Sequence, residues 1–166
     1  TSEALAGVGI DLYEGETKID TLTSVDGDVV LSTTGEGAKL EYGKSYKLHL
    51  SSIPNGYIPA DDIEFTINDE FVSDTELTFE LEKFSITISK VGSENALIGG
   101  AELELLKADG TSLHTFTTVA GSSYTVPAEV LEHIAYGDVV KLRETKAPAG
   151  YLLNTSVAHI LRSIIV

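Results

Sequence analysis

Phe84-Ser85-Ile86-Thr87-Ile88-Ser89-Lys90 alternates apolar and small polar residues up to its last position, the period-two pattern of a strand with one buried face. Just upstream, Leu77, Phe79 and Leu81 alternate with Thr78 and Glu80. Strand character recurs over residues 8–13, 18–24, 44–51, 62–68, 75–82, 101–107, 112–118, 138–144 and 157–165, with Gly and Asp at most turns. One helical signal interrupts these runs. Pro127 followed by Ala-Glu-Val-Leu-Glu-His-Ile-Ala predicts a two-turn helix with proline at its first position. The chain reads as all-β, its short strands packed as sandwiches.

The pattern occurs twice. Ile53-Pro54-Asn55-Gly56-Tyr57 returns 94 residues later as Ala147-Pro148-Ala149-Gly150-Tyr151. At the same offset Tyr42-Gly43 matches Tyr136-Gly137, Lys47-Leu48 matches Lys141-Leu142, and Leu22-Thr23-Ser24-Val25-Asp26-Gly27 matches Phe116-Thr117-Thr118-Val119-Ala120-Gly121. One residue of slippage aligns Gly7-Val8-Gly9-Ile10-Asp11-Leu12 with Gly100-Ala101-Glu102-Leu103-Glu104-Leu105. Two tandem β-sandwich modules, residues 1–83 and 84–166, are expected. The junction near Lys83-Phe84 holds no Pro-, Gly- or Ser-rich linker, which predicts a strand running straight from one module into the next and a stiff rod. Each module reads as short of one terminal strand, so open sheet edges and pairing or strand exchange between chains are expected.

The 166 residues are 42% hydrophobic, enough to bury the core of one or two small domains. With 26 acidic residues against 11 basic ones the net charge is -15, which opposes nucleic-acid phosphates and anionic membrane surfaces. No apolar stretch is long enough to insert in a membrane. The absence of Cys excludes disulfides, thiolate nucleophiles and thiolate metal sites. Met is absent even from position 1, so the numbering is expected to begin inside a longer precursor or after a processed segment, and a signal peptide before Thr1 is compatible with it.

The charge is uneven: residues 1–83 hold 5 lysines and 18 acids, residues 84–166 hold 6 basic residues and 8 acids. Solvation accounts for the acidic half. Calcium at Asp26 and Asp28, or at Asp61, Asp62 and Glu64, lacks the ligand spacing of a calcium loop, and no metal is expected. His49, His114, His133 and His159 show no paired ligand spacing, and His159, aligned with Phe65, reads as a hydrogen-bonded core histidine. Neither a Gly-x-Ser-x-Gly nucleophile elbow nor a Gly-rich run before a helix occurs, so hydrolase chemistry and cofactors are not expected.

Strand parity isolates two charges. Phe84, Ile86 and Ile88 define an inward set whose next member is Lys90. Val140 and Leu142 define another whose next member is Glu144, while Lys141 and Arg143 take the opposite face. In the first module Tyr46, Leu48 and Leu50 share that parity, and Leu50 stands where Glu144 stands. A lone buried charge costs several kcal/mol, which leaves three readings open. The side chains curl out to water from the strand ends; they form a buried ion pair; or an apolar setting favours the neutral forms of both, a nucleophilic amine beside a proton-donating carboxyl. Beside a side-chain amide, the last arrangement makes an amide crosslink and releases ammonia.

Leu142-Arg143-Glu144-Thr145-Lys146-Ala147-Pro148-Ala149-Gly150-Tyr151 resembles the E-box of the collagen-adhesin B-type repeats, also called prealbumin-like or SpaA-type pilin domains, of Gram-positive surface proteins. Lys90-Val91-Gly92 followed by Ala96-Leu97-Ile98-Gly99-Gly100-Ala101-Glu102-Leu103 resembles the same family's first-strand motif. The resemblance implies tandem prealbumin-like, Ig-like Greek-key sandwiches serving as stalk modules of a surface protein that is extracellular and attached to the cell wall. Its partners would be neighbouring domains of the same protein, and it would turn over no substrate. It further implies an autocatalytic isopeptide bond from Lys to Asn in the second module, with Lys90 as nucleophile and Glu144 as proton shuttle. The family's acceptor Asn lies on the final strand, which maps beyond Val166. Asn154 is the Asn that follows the E-box here, earlier than the family's position. The first module, with Leu50 in place of the Glu and its Lys-bearing strand mapping before Thr1, is expected to form no such bond. The alternative is an adhesive module whose surface recognises a host matrix protein or glycan; the low aromatic content, 7%, favours the spacer. No Leu-Pro-x-Thr-Gly sorting signal lies within these residues.

Overall fold

The computed structural model describes residues 4–71 and 75–160, which divide into two compact units, Thr1–Glu82 and Lys83–Val166. In the first unit β1 (Gly9–Glu14), β2 (Thr17–Thr23), β3 (Ser45–Ser52) and β5 (Ile63–Thr66) form an antiparallel sheet in the order β2-β1-β3-β5. The β1–β2 hairpin turns through Gly15 and Glu16, and Gly15 takes a φ of 59°, the left-handed value that two-residue hairpin loops require. β4 (Tyr57–Ile58) pairs with β6 (Glu82–Lys83) in a short ribbon. Leu12, Leu40, Tyr46, Leu48, Phe65 and Ile67 form the buried core, with Leu31, Phe71 and Phe79 packed against it from outside the sheet.

In the second unit β8 (Glu102–Lys107), β9 (Ser112–Thr117), β11 (Val140–Lys146) and β12 (Ala158–Ile160) form an antiparallel sheet in the order β12-β11-β8-β9. A second layer consists of β7 (Thr87–Ile88) paired with β10 (Tyr124–Thr125), next to the single turn of helix α1 (Ala128–Leu131). Leu103 and Leu105 from β8, Phe116 from β9 and Val140 from β11 meet Ile88, Val126, Val130, Leu131 and Ile134 between the layers. The unit is a β-sandwich, in keeping with the all-β reading.

The two four-stranded sheets share their order and their registers. β1 aligns Leu12 with Leu48 and Ile10 with Leu50 of β3, as β8 aligns Leu105 with Leu142 and Leu103 with Glu144 of β11. A small buried clamp also recurs. Ser24 Oγ accepts the Val8 N–H at 3.0 Å, and Thr118 Oγ1 accepts the Ala101 N–H at 3.1 Å, each beside backbone bonds that join the same two segments.

Four expectations need correction. Residues 75–81 form no strand: Leu77 is exposed, and only Phe79 packs on the core. Alternation alone does not make a strand where no ladder partner lies alongside. Over 84–90 the burial does alternate, but only Thr87 and Ile88 have a ladder partner in β10. No single strand runs on from β6 into β7, because residues 84–86 separate them. The helix after Pro127 is one turn, and Pro127 is its N-cap with extended backbone rather than its first residue. The expected strand at 157–165 is described only for Ala158–Ile160; the rest of it, and the side chain of His159, lie outside the described residues.

Candidate functional site

Lys90 follows β7 and opens a tight hairpin. Its carbonyl accepts the Ile98 N–H at 2.9 Å, Val91 bridges Leu97, and Gly92 N–H donates to Ala96 O at 2.9 Å around a 3-10 turn at Ser93–Asn95. Two residues in that turn, Glu94 and Asn95, have φ near 57° and 58°, a left-handed geometry that Asn tolerates better than most residues. The hairpin fixes the direction in which Lys90 leaves the second layer.

Glu144 comes from the other layer. It stands in β11 opposite Leu103, on the face that also carries Val140 and Leu142, and is buried. Lys90 Nζ lies 3.2 Å from Glu144 Oε1, with the lysine side chain 23% exposed and the glutamate side chain 4% exposed. The other oxygen, Oε2, accepts the backbone N–H of Asn154 at 2.6 Å. Oε1 accepts no hydrogen bond among the described residues: the ammonium is close enough for an ion pair but lies off the hydrogen-bonding direction. A buried carboxylate thus has one oxygen satisfied by backbone and one facing an amine.

Asn154 meets this site through its backbone. Its side chain is exposed, and Oδ1 accepts the Ser156 N–H at 3.0 Å in an Asx turn. Sequence reasoning missed the N–H donated to Glu144; the Asn-Thr-Ser run at 154–156 signalled the turn that aims it. In the first unit the equivalent register position is Leu50, buried opposite Ile10, and no carboxylate enters that core position.

Several other charged residues pair outside this site. Asp11 accepts Thr21 Oγ1–H at 2.8 Å and faces Lys18 Nζ at 3.3 Å; the Thr21 hydroxyl first, then Lys18, hold its carboxyl below the ordinary value although burial opposes them. Arg143 grips Glu104 with two nitrogens, and that pairing, aided by Ser112, lowers the Glu104 carboxyl. Lys146 Nζ reaches Glu102 Oε1 at 2.8 Å. Of the acidic residues considered as calcium ligands, Asp62 is taken by His49 Nδ1 at 2.7 Å and Lys47 at 3.4 Å, and the His49 bond is the main cause that lowers its carboxyl. Among the described residues no three His, Asp or Glu side chains converge as metal ligands. His114 Nε2 lies 2.6 Å from Tyr124 Oη beside a stacked Phe116–Tyr124 pair, and His133 is exposed. Lys90 and Glu144 therefore remain as a partly exposed amine held against a buried carboxyl. Chemically, such a pair moves a proton between nitrogen and oxygen, and a deprotonated amine there is a nucleophile.

Residues 84–161 match the model of the SpaA prealbumin-like fold domain. Comparison with curated proteins finds no match. Among solved structures, the Bacillus anthracis TIE protein is 20% identical with a TM-score of 0.42; the likeness covers 95% of this chain, which spans only 28% of that one. A point variant of the shaft pilin SpaA from Lactobacillus rhamnosus GG is 14% identical over 95% of this chain and 87% of its own, with a TM-score of 0.39. The unmodified shaft pilin is 15% identical over 93% and 82%, with a TM-score of 0.36. No helix among the described residues is long and apolar enough to cross a membrane. The segment 84–161, which holds the E-box string at residues 142–151, is thus similar to the SpaA prealbumin-like fold domain.

Proposed function

We propose that the chain is a structural stalk segment of a surface protein, adhesin or pilin, attached to a Gram-positive cell wall, and that its second unit carries the machinery for an autocatalytic isopeptide crosslink. The observation that carries this reading is the buried Glu144 carboxylate 3.2 Å from Lys90 Nζ across the two layers of the sandwich. In the crosslinking step Lys90 Nζ attacks the carboxamide carbon of an Asn side chain. A C–N bond forms, Glu144 takes a proton from the amine and returns it to the leaving nitrogen, and one ammonia departs, so atoms balance without an oxidant. The acceptor is an Asn following Val166, with Asn154 as the weaker candidate because its carboxamide is exposed and engaged by Ser156. The first unit, with buried Leu50 at the carboxylate's position, is a non-crosslinked module of the same kind, and the two are tandem copies. A crosslink closing a loop of roughly 85 residues restricts the unfolded chain by about 4–5 kcal/mol on the loop-entropy model.

The test is the intact mass, under denaturing conditions, of the protein as its gene encodes it. Loss of one ammonia that Lys90→Ala and Glu144→Ala both abolish supports the reading, and fragment masses then name the acceptor. A mass equal to the encoded sequence overturns the crosslinking part.

A further inference from the structure

The hairpin that carries Lys90 and the loop that follows Gly150 meet at Gly92. A Cβ placed on Gly92 would lie 2.9 Å from Tyr151 Oη, 3.5 Å from Tyr151 Cε1 and 3.1 Å from Ile98 Cγ2. The phenol ring therefore lies across the Gly92 backbone, in space that only a residue without a side chain leaves. Gly92 has a φ of -103°, so close approach and not backbone conformation is what calls for glycine. Tyr151 is itself 48% exposed, and core packing does not account for its placement. It is set by the turn before it, where the Tyr151 N–H donates to Pro148 O at 3.1 Å and Gly150 takes a φ of 84°.

The contacts close a circuit. From Gly92 the hairpin runs two residues back to Lys90, held by the Gly92–Ala96 and Ile98–Lys90 backbone bonds. From Tyr151 the chain runs three residues on to Asn154, whose N–H fixes Glu144 Oε2. Lys90 and Glu144 then face each other at 3.2 Å. We propose that Tyr151 and Gly92 form a clasp that sets the spacing of this pair: Tyr151 is a positioning residue for the amine and the carboxylate, and Gly92 is its seat. The proposal rests on the reading of Lys90 and Glu144 as a reacting pair and deepens it. The clasp joins the hairpin that bears the amine to the segment that orients the carboxylate, so opening it separates the two without touching either.

Competitive acetylation with limiting acetic anhydride, resolved for each lysine by mass spectrometry across a pH series, tests this on folded protein whose intact mass shows no loss of ammonia, so that Lys90 carries a free amine in the parent and in every variant. Lys107, exposed on the same unit, serves as internal reference. Tyr151→Leu cannot reach Gly92, and Gly92→Ala pushes the ring aside at its free end. In both, Lys90 is expected to react several-fold faster relative to Lys107, while Tyr151→Phe, which keeps the ring over Gly92, stays close to the parent. An unchanged Lys90 rate in Tyr151→Leu and Gly92→Ala overturns the clasp. Should Tyr151→Leu unfold, seen as Lys107 and Lys141 accelerating together with Lys90, Gly92→Ala decides alone. Glu144→Gln separates the two levels. If it leaves Lys90 at the parent rate, the pair itself is idle and the underlying reading fails. If it accelerates Lys90 while the clasp variants do not, the pair stands and the clasp falls.

Discussion

Glu144 is held by two partners that respond differently to substitution. In Glu144→Gln the amide oxygen still accepts the Asn154 N–H, but Lys90 loses its counter-charge. Because Lys90 keeps some contact with water, the expected loss is about 1–3 kcal/mol, less than the roughly 3–5 kcal/mol for breaking a fully buried pair. Replacing both partners, Lys90→Leu with Glu144→Leu, copies the apolar choice at Leu50 and is expected to recover part of that loss, because the lone charge is gone while the Asn154 N–H gives up its acceptor. Urea unfolding of the three proteins checks this; a double variant weaker than Glu144→Gln would refute it. Asp11 carries a second expectation. Thr21 and Lys18 hold its carboxyl below the ordinary 3.8, so its contribution is complete above the unfolded value and is lost as pH falls through the lower folded one. The protection of the Leu12 and Leu48 amides, corrected for the intrinsic pH dependence of exchange, is expected to fall as the pH drops below about 4, and Asp11→Asn to flatten that acid response.

The strands of the four-stranded sheets were legible because each alternates and each has a neighbour to pair with. Residues 75–81 show the limit: Leu77 and Phe79 alternate as well as any strand, yet a pattern states which face is apolar and not whether a ladder partner will be there. The short strands Tyr57–Ile58 and Tyr124–Thr125 escaped notice for the opposite reason, since two residues carry no period. Parity placed Lys90 and Glu144 on inward positions, but the N–H of Asn154 and the ring of Tyr151 depend on turn geometry that side-chain periodicity does not encode. The hydroxyl clamps repeat with the registers. Ser24→Ala and Thr118→Val each leave a buried N–H without its acceptor, and each is expected to cost about 1–3 kcal/mol, read as loss of exchange protection in its own unit. Core truncations follow the same division: Leu12→Ala and Leu105→Ala, at residues with no exposed surface, are each expected to cost about 2–5 kcal/mol.

At the scale of the whole chain the two halves repeat a topology while diverging in charge, -13 over residues 1–83 and -2 over 84–166. Self-repulsion weighs on the first half and is screened beyond a Debye length of about 10 Å at 0.1 M salt. Raising sodium chloride is therefore expected to slow amide exchange at Leu12 and Leu48 more than at Leu103 and Leu105; equal responses would show that repulsion is not limiting. The shared register bears on how a newly made chain sorts its strands. Neighbouring domains of like topology are prone to misassembly while they fold, and the backbones of β3 and β11 present the same ladder to a waiting partner. Their side chains do not. Were β11 to settle beside β1, Glu144 would take the place of Leu50 against Ile10, with no lysine to answer it, at the cost of a stranded buried charge. One carboxylate thus makes the wrong docking costlier than the right one.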